Sequence, residues 1–257
     1  VTTGTNNSAF GYSALEVGNG GNNTAVGFKA LEENNGDDNT AVGYVALDDN
    51  TTGVQLTAVG SAALGANTTA SYCTAVGSQA LLANTTGANN TSVGQGSMQT
   101  NSTGSENTAV GRIALYSNTT ANDNTALGQR ALYANTTGSK NVGIGVSALR
   151  ANTTGDANAA IGAYALTANT TGYSNIAIGD NALKTATAVN RTIAIGDQAM
   201  EATTTGSWGV AIGHQALEAQ TDANYNVAIG FAAGKATTTG EYNVFIGGEA
   251  GEANTTG

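Results

Sequence analysis

His214 is the only histidine of the chain and Cys73 its only cysteine, so chemistry that needs convergent imidazoles or thiolates starts from a poor stock. No Ser-His-Asp or metal-ligand grouping surrounds His214 in the sequence. General acid-base and metal-assisted catalysis need several such groups together, so His214 reads as an exposed, variable residue. A single cysteine also excludes an intrachain disulfide framework and a Cys-based zinc site. Carboxylates are more plentiful. Glu32 and Glu33 are followed sixteen residues later by Asp48 and Asp49, with Asp37 and Asp38 between them. If such positions stack, like charges repel unless a cation lies between them, and a hard cation wants several oxygens. Glu32, Asp37, Asp48 and Asp49 therefore read either as a solvated acidic corner or as a calcium site.

Two further groups recur at fixed intervals. Trp208, Tyr225 and Tyr242 are seventeen residues apart, and Tyr12, Phe28 and Tyr44 are sixteen apart. A ladder of exposed rings can stack on sugar faces, which makes Trp208, Tyr225 and Tyr242 candidate glycan contacts, or the rings can stack on one another. The recurrent Asn-Thr-Thr is also a glycosylation sequon, which makes Asn67, Asn84, Asn118, Asn135, Asn152 and Asn169 candidate glycan carriers. A hydrogen-bonding turn accounts for the same pattern without modification, and the adjacent threonines offer a second attachment point.

What positions all of these residues is a repeat. Fifteen glycines preceded by an apolar residue, from Gly11 to Gly247, divide the chain at intervals of seventeen residues, with two early intervals of sixteen. The consensus is N-T-A-V/I-G-x-x-A-L-x-A-N-T-T-G-x-x. The residue before the marker glycine is Val in six copies, Ile in seven, and Phe10 or Leu127 in the other two. β-Branched residues with period-two flanks such as Ile176-Ala177-Ile178 point to a strand. Seventeen residues leave too little room for strand, helix and two turns, so the expected unit is a strand-turn-strand-turn coil. The fold class is therefore all-β, a parallel β-solenoid or β-roll of about fifteen coils. Residues 1–257 form one repeat array with no visible linker. Identical coils stack about 4.8 Å apart, so the asparagines four residues before the marker glycine and the Thr or Ser after the turn asparagine should form side-chain ladders. Ala131 and Ala165, just before a leucine, should face inward.

Composition narrows the function. With 10% charged residues, 36 glycines, no proline and a net charge of −10, the chain lacks the basic patches that nucleic acid requires. No apolar run is long enough to cross a bilayer. The core expected per copy, a Val or Ile, a Leu and two Ala, is thin. An added apolar contact along the axis would help, and a homotrimer is the natural closed arrangement. The chain starts and stops within the repeat without a capping sequence, which is the expectation for a segment of a longer fibre whose ends abut further coils.

The recurring N-x-A-I/V-G-x-x-A resembles the head repeats of trimeric autotransporter adhesins, and the full NTAVGxxALxANTTG resembles repeat regions of phage and virus tail fibres. The likeness covers essentially the whole chain. It implies a trimeric left-handed β-roll that stands out from a cell or virion surface as a rigid spacer or binding shaft, extracellular and without enzymatic activity, with a surface glycan or receptor as partner. The hexapeptide pattern of acyltransferase β-helices is met only once per seventeen residues. A second reading of the threonine rows is an ice-binding or other surface-matching solenoid.

Overall fold

The computed structural model describes residues 4–256. The expectation about chain ends falls partly on residues 1–3 and 257, which lie outside the described residues. The chain is all-β and forms two compact units, Val1–Gln129 and Arg130–Gly257. Unit 1 contains eight three-residue strands: β1 Ser8–Phe10, β2 Thr24–Val26, β3 Thr40–Val42, β4 Thr57–Val59, β5 Thr74–Val76, β6 Thr91–Val93, β7 Thr108–Val110 and β8 Thr125–Leu127. Unit 2 contains seven: β9 Val142–Ile144, β10 Ala159–Ile161, β11 Ile176–Ile178, β12 Ile193–Ile195, β13 Val210–Ile212, β14 Val227–Ile229 and β15 Val244–Ile246. Within each unit every strand pairs in parallel with the next in sequence. The register is one repeat per coil: Thr40 faces Thr57 in unit 1 and Ile176 faces Ile193 in unit 2. Each unit is thus a parallel β-solenoid.

The marker glycine ends each strand. Gly27 has φ +140°, and a Cβ there would lie 2.2 Å from the carbonyl oxygen of Gly43 on the next coil. Only glycine meets both demands.

Among the described residues each coil has one strand, and the expected second strand is absent. The A-L-x-A piece is a succession of turns in which the leucine adopts a left-handed conformation, with φ +50° at Leu64 and +52° at Leu132. Such a conformation costs an L-residue roughly 1–2 kcal/mol. Here the inter-coil amides change direction across the turn: Ala62 N donates back to Tyr44 O (2.8 Å), Ala63 N donates within its own coil to Gly60 O (3.3 Å), and Leu64 N donates forward to Ala80 O (3.0 Å). The ladder is kept without extended backbone, and the leucine is driven fully inside.

The core also differs from expectation. The buried columns are the middle residue of each strand, usually alanine, and the Ala-Leu pair after the marker glycine, Ala131 and Ala165 included. The Val or Ile before the marker glycine is not in the core: 38% of Val26, 39% of Val110, 38% of Ile161 and 39% of Ile229 remains exposed. Strand side chains alternate, so an inward middle alanine turns both flanking residues outward.

Polar ladders fill the space that larger apolar side chains would otherwise take. The turn asparagines of unit 1 are fully buried and donate in sequence, Asn67 Nδ2 to Asn50 Oδ1 (2.8 Å) and Asn101 Nδ2 to Asn84 Oδ1 (2.8 Å). In unit 2 the same chain links Asn135, Asn152 and Asn169 at 2.8 Å per step. A second buried column, four residues before the marker glycine, ties side chain to backbone: Asn107 N donates to Asn90 Oδ1 (2.9 Å) and Asn175 N to Asn158 Oδ1 (3.1 Å). Threonine hydroxyls add a third row, Thr68 Oγ1 donating to Thr85 O at 3.0 Å. The expected side-chain ladders are present.

Candidate functional site

Glu32 and Asp48 do stack on successive coils, but the four carboxylates do not assemble into a cation site. Glu32 turns to Lys29, whose Nζ is 2.8 Å away. Asp37 accepts from Gly21 N at 2.7 Å on a different corner, and Asp49 is exposed. Among the described residues no group of three or more His, Cys, Asp or Glu side chains is placed to hold a metal ion. Charge crowding remains. Asp48 Oδ1 is buried without a hydrogen-bond partner, and burial, then the negative charge of Glu32, raises the Asp48 carboxyl above its usual range.

The sequon asparagines Asn67, Asn84, Asn118, Asn135, Asn152 and Asn169 are all fully buried. Their amide nitrogens serve the ladder or the carbonyl three residues on, as in Asn135 Nδ2 to Gly138 O (2.8 Å) and Asn118 Nδ2 to Asn101 Oδ1 (2.6 Å). A glycan on any of these nitrogens has no path to solvent in this fold, so the sequons are hydrogen-bonding turns. Exposure on this edge belongs to the second threonine of the turn, as at Thr52, Thr69 and Thr86.

The aromatic columns form as continuous stacks. Trp208 and Tyr225 have centroids 5.4 Å apart with an interplanar angle of 7°, and Tyr225 and Tyr242 are 5.0 Å apart at 12°. Tyr12, Phe28 and Tyr44 stack in the same way at 5.5 and 5.3 Å. The faces between successive rings are occupied by the next ring, and a sugar stacks on a face; only the outer faces of the end rings are not covered by a ring of the column, and Tyr242 is 71% exposed. These columns therefore stabilise neighbouring coils, which removes the basis for a continuous glycan platform over Trp208, Tyr225 and Tyr242: both faces of Tyr225 are taken, and each end ring has one face taken. His214 stacks on Phe231 at 5.6 Å and lies 3.5 Å from Asp197, an ion pair only when the imidazole is protonated. Cys73 replaces an asparagine of the second column. Its Sγ lies 3.3 Å from Gly87 O, and burial pushes the thiol up, so the residue is an inert packing group.

Two features carry more functional content than any of these. The first is the outer face of the strands. In unit 1 it presents Thr and Val, as at Thr57 and Val59; in unit 2 it presents two aliphatic residues, as at Ile193 and Ile195 or Val210 and Ile212. The second is an open depression of about 380 Å³ in unit 2, lined by Arg130, Tyr133, Ala134, Arg150 and Ala151. The whole-chain charge hides it. Residues 107–155 contain four cations, Arg112, Arg130, Lys140 and Arg150, against one carboxylate, Asp123, a local reversal that a segment-by-segment charge count exposes. No protein-family model matches the chain, and no curated protein sequence resembles it at a significant level.

Proposed function

We propose that this protein is a non-enzymatic structural element of an extracellular fibre or adhesin shaft, in which parallel copies of the chain pack as a homotrimer through the outer faces of their strands. The supporting observation is the half-exposed column of β-branched residues that repeats on every coil of β9 to β15 and, with threonine as its second member, on β2 to β7, with Leu127 in its place on β8. A contiguous apolar row of this kind is uncommon on a monomer. Because it recurs at each coil, three identical copies can cover it in one register. The likeness of the repeat to adhesin heads and tail fibres supports the same surface location. Sedimentation equilibrium of the recombinant chain tests this: three chains per particle is the expected result, and a monomer at all concentrations overturns it.

The row Thr24, Thr40, Thr57, Thr74, Thr91, Thr108 and Thr125, one threonine per coil on the outer face of the strands, favours a second reading for unit 1, a surface-matching face of the ice-binding kind. It needs that face uncovered. A monomer that also shows thermal hysteresis would replace the first reading with this one.

A further inference from the structure

We propose that the Arg130–Arg150 depression of unit 2 is a binding site for an acidic sugar residue, with the two guanidinium groups taking its carboxylate. The inference rests on the adhesive part of the reading above and names the chemistry of the partner.

Other cations at equivalent repeat positions are paired. Lys29 stands two residues after its marker glycine, and Lys184 and Lys235 stand five after theirs. Each reaches a carboxylate of its own or an adjacent coil: Glu32 at 2.8 Å, Glu201 at 3.2 Å and Glu218 at 3.5 Å. Arg130 and Arg150 occupy these same two positions on consecutive coils. Their neighbours at the equivalent places are Tyr133, Ser147, Tyr164 and Thr167, so no carboxylate is supplied. Both arginines are exposed, and they border one depression instead of closing a pair. Arginine presents a planar fork of donors that matches a carboxylate bidentately.

Size and lining select the ligand further. A volume of about 380 Å³ lies within the range of small-molecule sites and is too large for one carboxylate side chain to fill. Tyr133, Ala134 and Ala151 complete the lining, two small apolar residues beside one phenol, a combination suited to the body of a pyranose. Nucleic acid fits poorly, because the excess of cations is limited to residues 107–155, which hold four of the eight Lys and Arg residues, and the remainder of the chain is strongly acidic.

The test is a calorimetric titration, with saturation-transfer NMR, of the intact chain with a tetrasaccharide alternating glucuronic acid and N-acetylglucosamine. Saturable binding is expected that weakens as salt rises and is lost with the carboxyl-reduced tetrasaccharide. Arg130→Gln and Arg150→Gln should each weaken it about tenfold with circular dichroism and thermal unfolding unchanged, while Lys140→Gln, outside the depression, should leave it as it is. Equal binding of the carboxyl-reduced sugar, or indifference to both arginine substitutions, overturns the proposal. Acetate binding as tightly as the tetrasaccharide would reduce the site to an ion site and overturn it too. A change in chains per particle in either arginine variant would assign the guanidiniums to a second copy of the chain. The wild-type chain count reads the fibre and the titration reads the site, so the two readings can fail independently.

Discussion

The two units share one repeat and distribute polarity differently. In unit 1 the turn-asparagine column is unbroken from Asn34 to Asn118, and the outer strand face alternates Thr with Val. In unit 2 the same column holds Asn135, Asn152 and Asn169, gives way to Ala186, Thr203, Gln220 and Thr237 and returns at Asn254, while the outer face becomes Ile or Val, or Ala159 in β10, with Ile. The exchange has a visible cost: among the described residues Thr203 Oγ1 is one of three buried side-chain polar atoms without a partner. A buried amide ladder helps fix register within a chain because each asparagine has both a donor and an acceptor for the next coil. An apolar outer row stabilises only when something covers it. Unit 1 is therefore the more self-sufficient, and unit 2 the more dependent on association.

The marker glycines should show no difference between units and so calibrate the comparison. Gly60→Ala and Gly179→Ala place a Cβ 2.5 and 2.4 Å from the next coil's carbonyl oxygen, at φ +138° and +132°. Each should cost about 3–4 kcal/mol in urea unfolding, and a tolerated change in either unit would mean that the coils do not approach as described. The turn columns should then separate the units. Asn84→Ala strands the Oδ1 of Asn67 and should cost about 1–3 kcal/mol, whereas Thr203→Val removes an orphaned hydroxyl at constant shape and should be neutral or stabilising in the same assay.

A smaller effect is expected at the outer faces. Ile195→Thr together with Ile212→Thr in unit 2 should change the unfolding of a dilute monomer by only about 0.5 kcal/mol each and yet lower the fraction of trimer in sedimentation. Thr57→Ile in unit 1 should raise that fraction, and the opposite order would invert the assignment of dependence. The smallest effect concerns Asp48. Its carboxyl is raised in the folded state by burial and by Glu32, so the fold binds this proton more tightly than the unfolded chain does. Stability from this group is full below the ordinary aspartate range and is lost as pH rises through the folded-state value. Asp48→Asn should raise the melting temperature slightly at pH 7 and flatten the pH dependence just above the aspartate range. No change in that slope would show that Asp48 is solvated.

By itself the sequence determined the period, the parallel stacking and the existence of the ladders, because a column of identical residues at one-coil spacing can be satisfied only by its own neighbours. It also paired Glu32 with Asp48 and aligned Trp208, Tyr225 and Tyr242. Tertiary structure decided which apolar column is inside. A three-residue strand of pattern x-A-V fits either face, and the choice went to alanine because the left-handed turn of the following Ala-Leu already fills the interior. That turn left no signature in the sequence, since leucine does not ordinarily favour positive φ. The burial that closes the sequons was equally hidden, for Asn-Thr-Thr reads alike as a surface tag and as a core ladder. Local irregularities made sense only in three dimensions. Gly209 stands where asparagine is usual, and a Cβ there would come within 2.4 Å of Met200 Cε. Gly234 and Gly251 replace leucines, and their missing side chains make room for the ring of Phe245, whose carbons lie 2.6 and 2.4 Å from the Cβ positions of those two glycines. Volume is balanced between residues eleven, nine and six positions apart in sequence, and only packing brings them together.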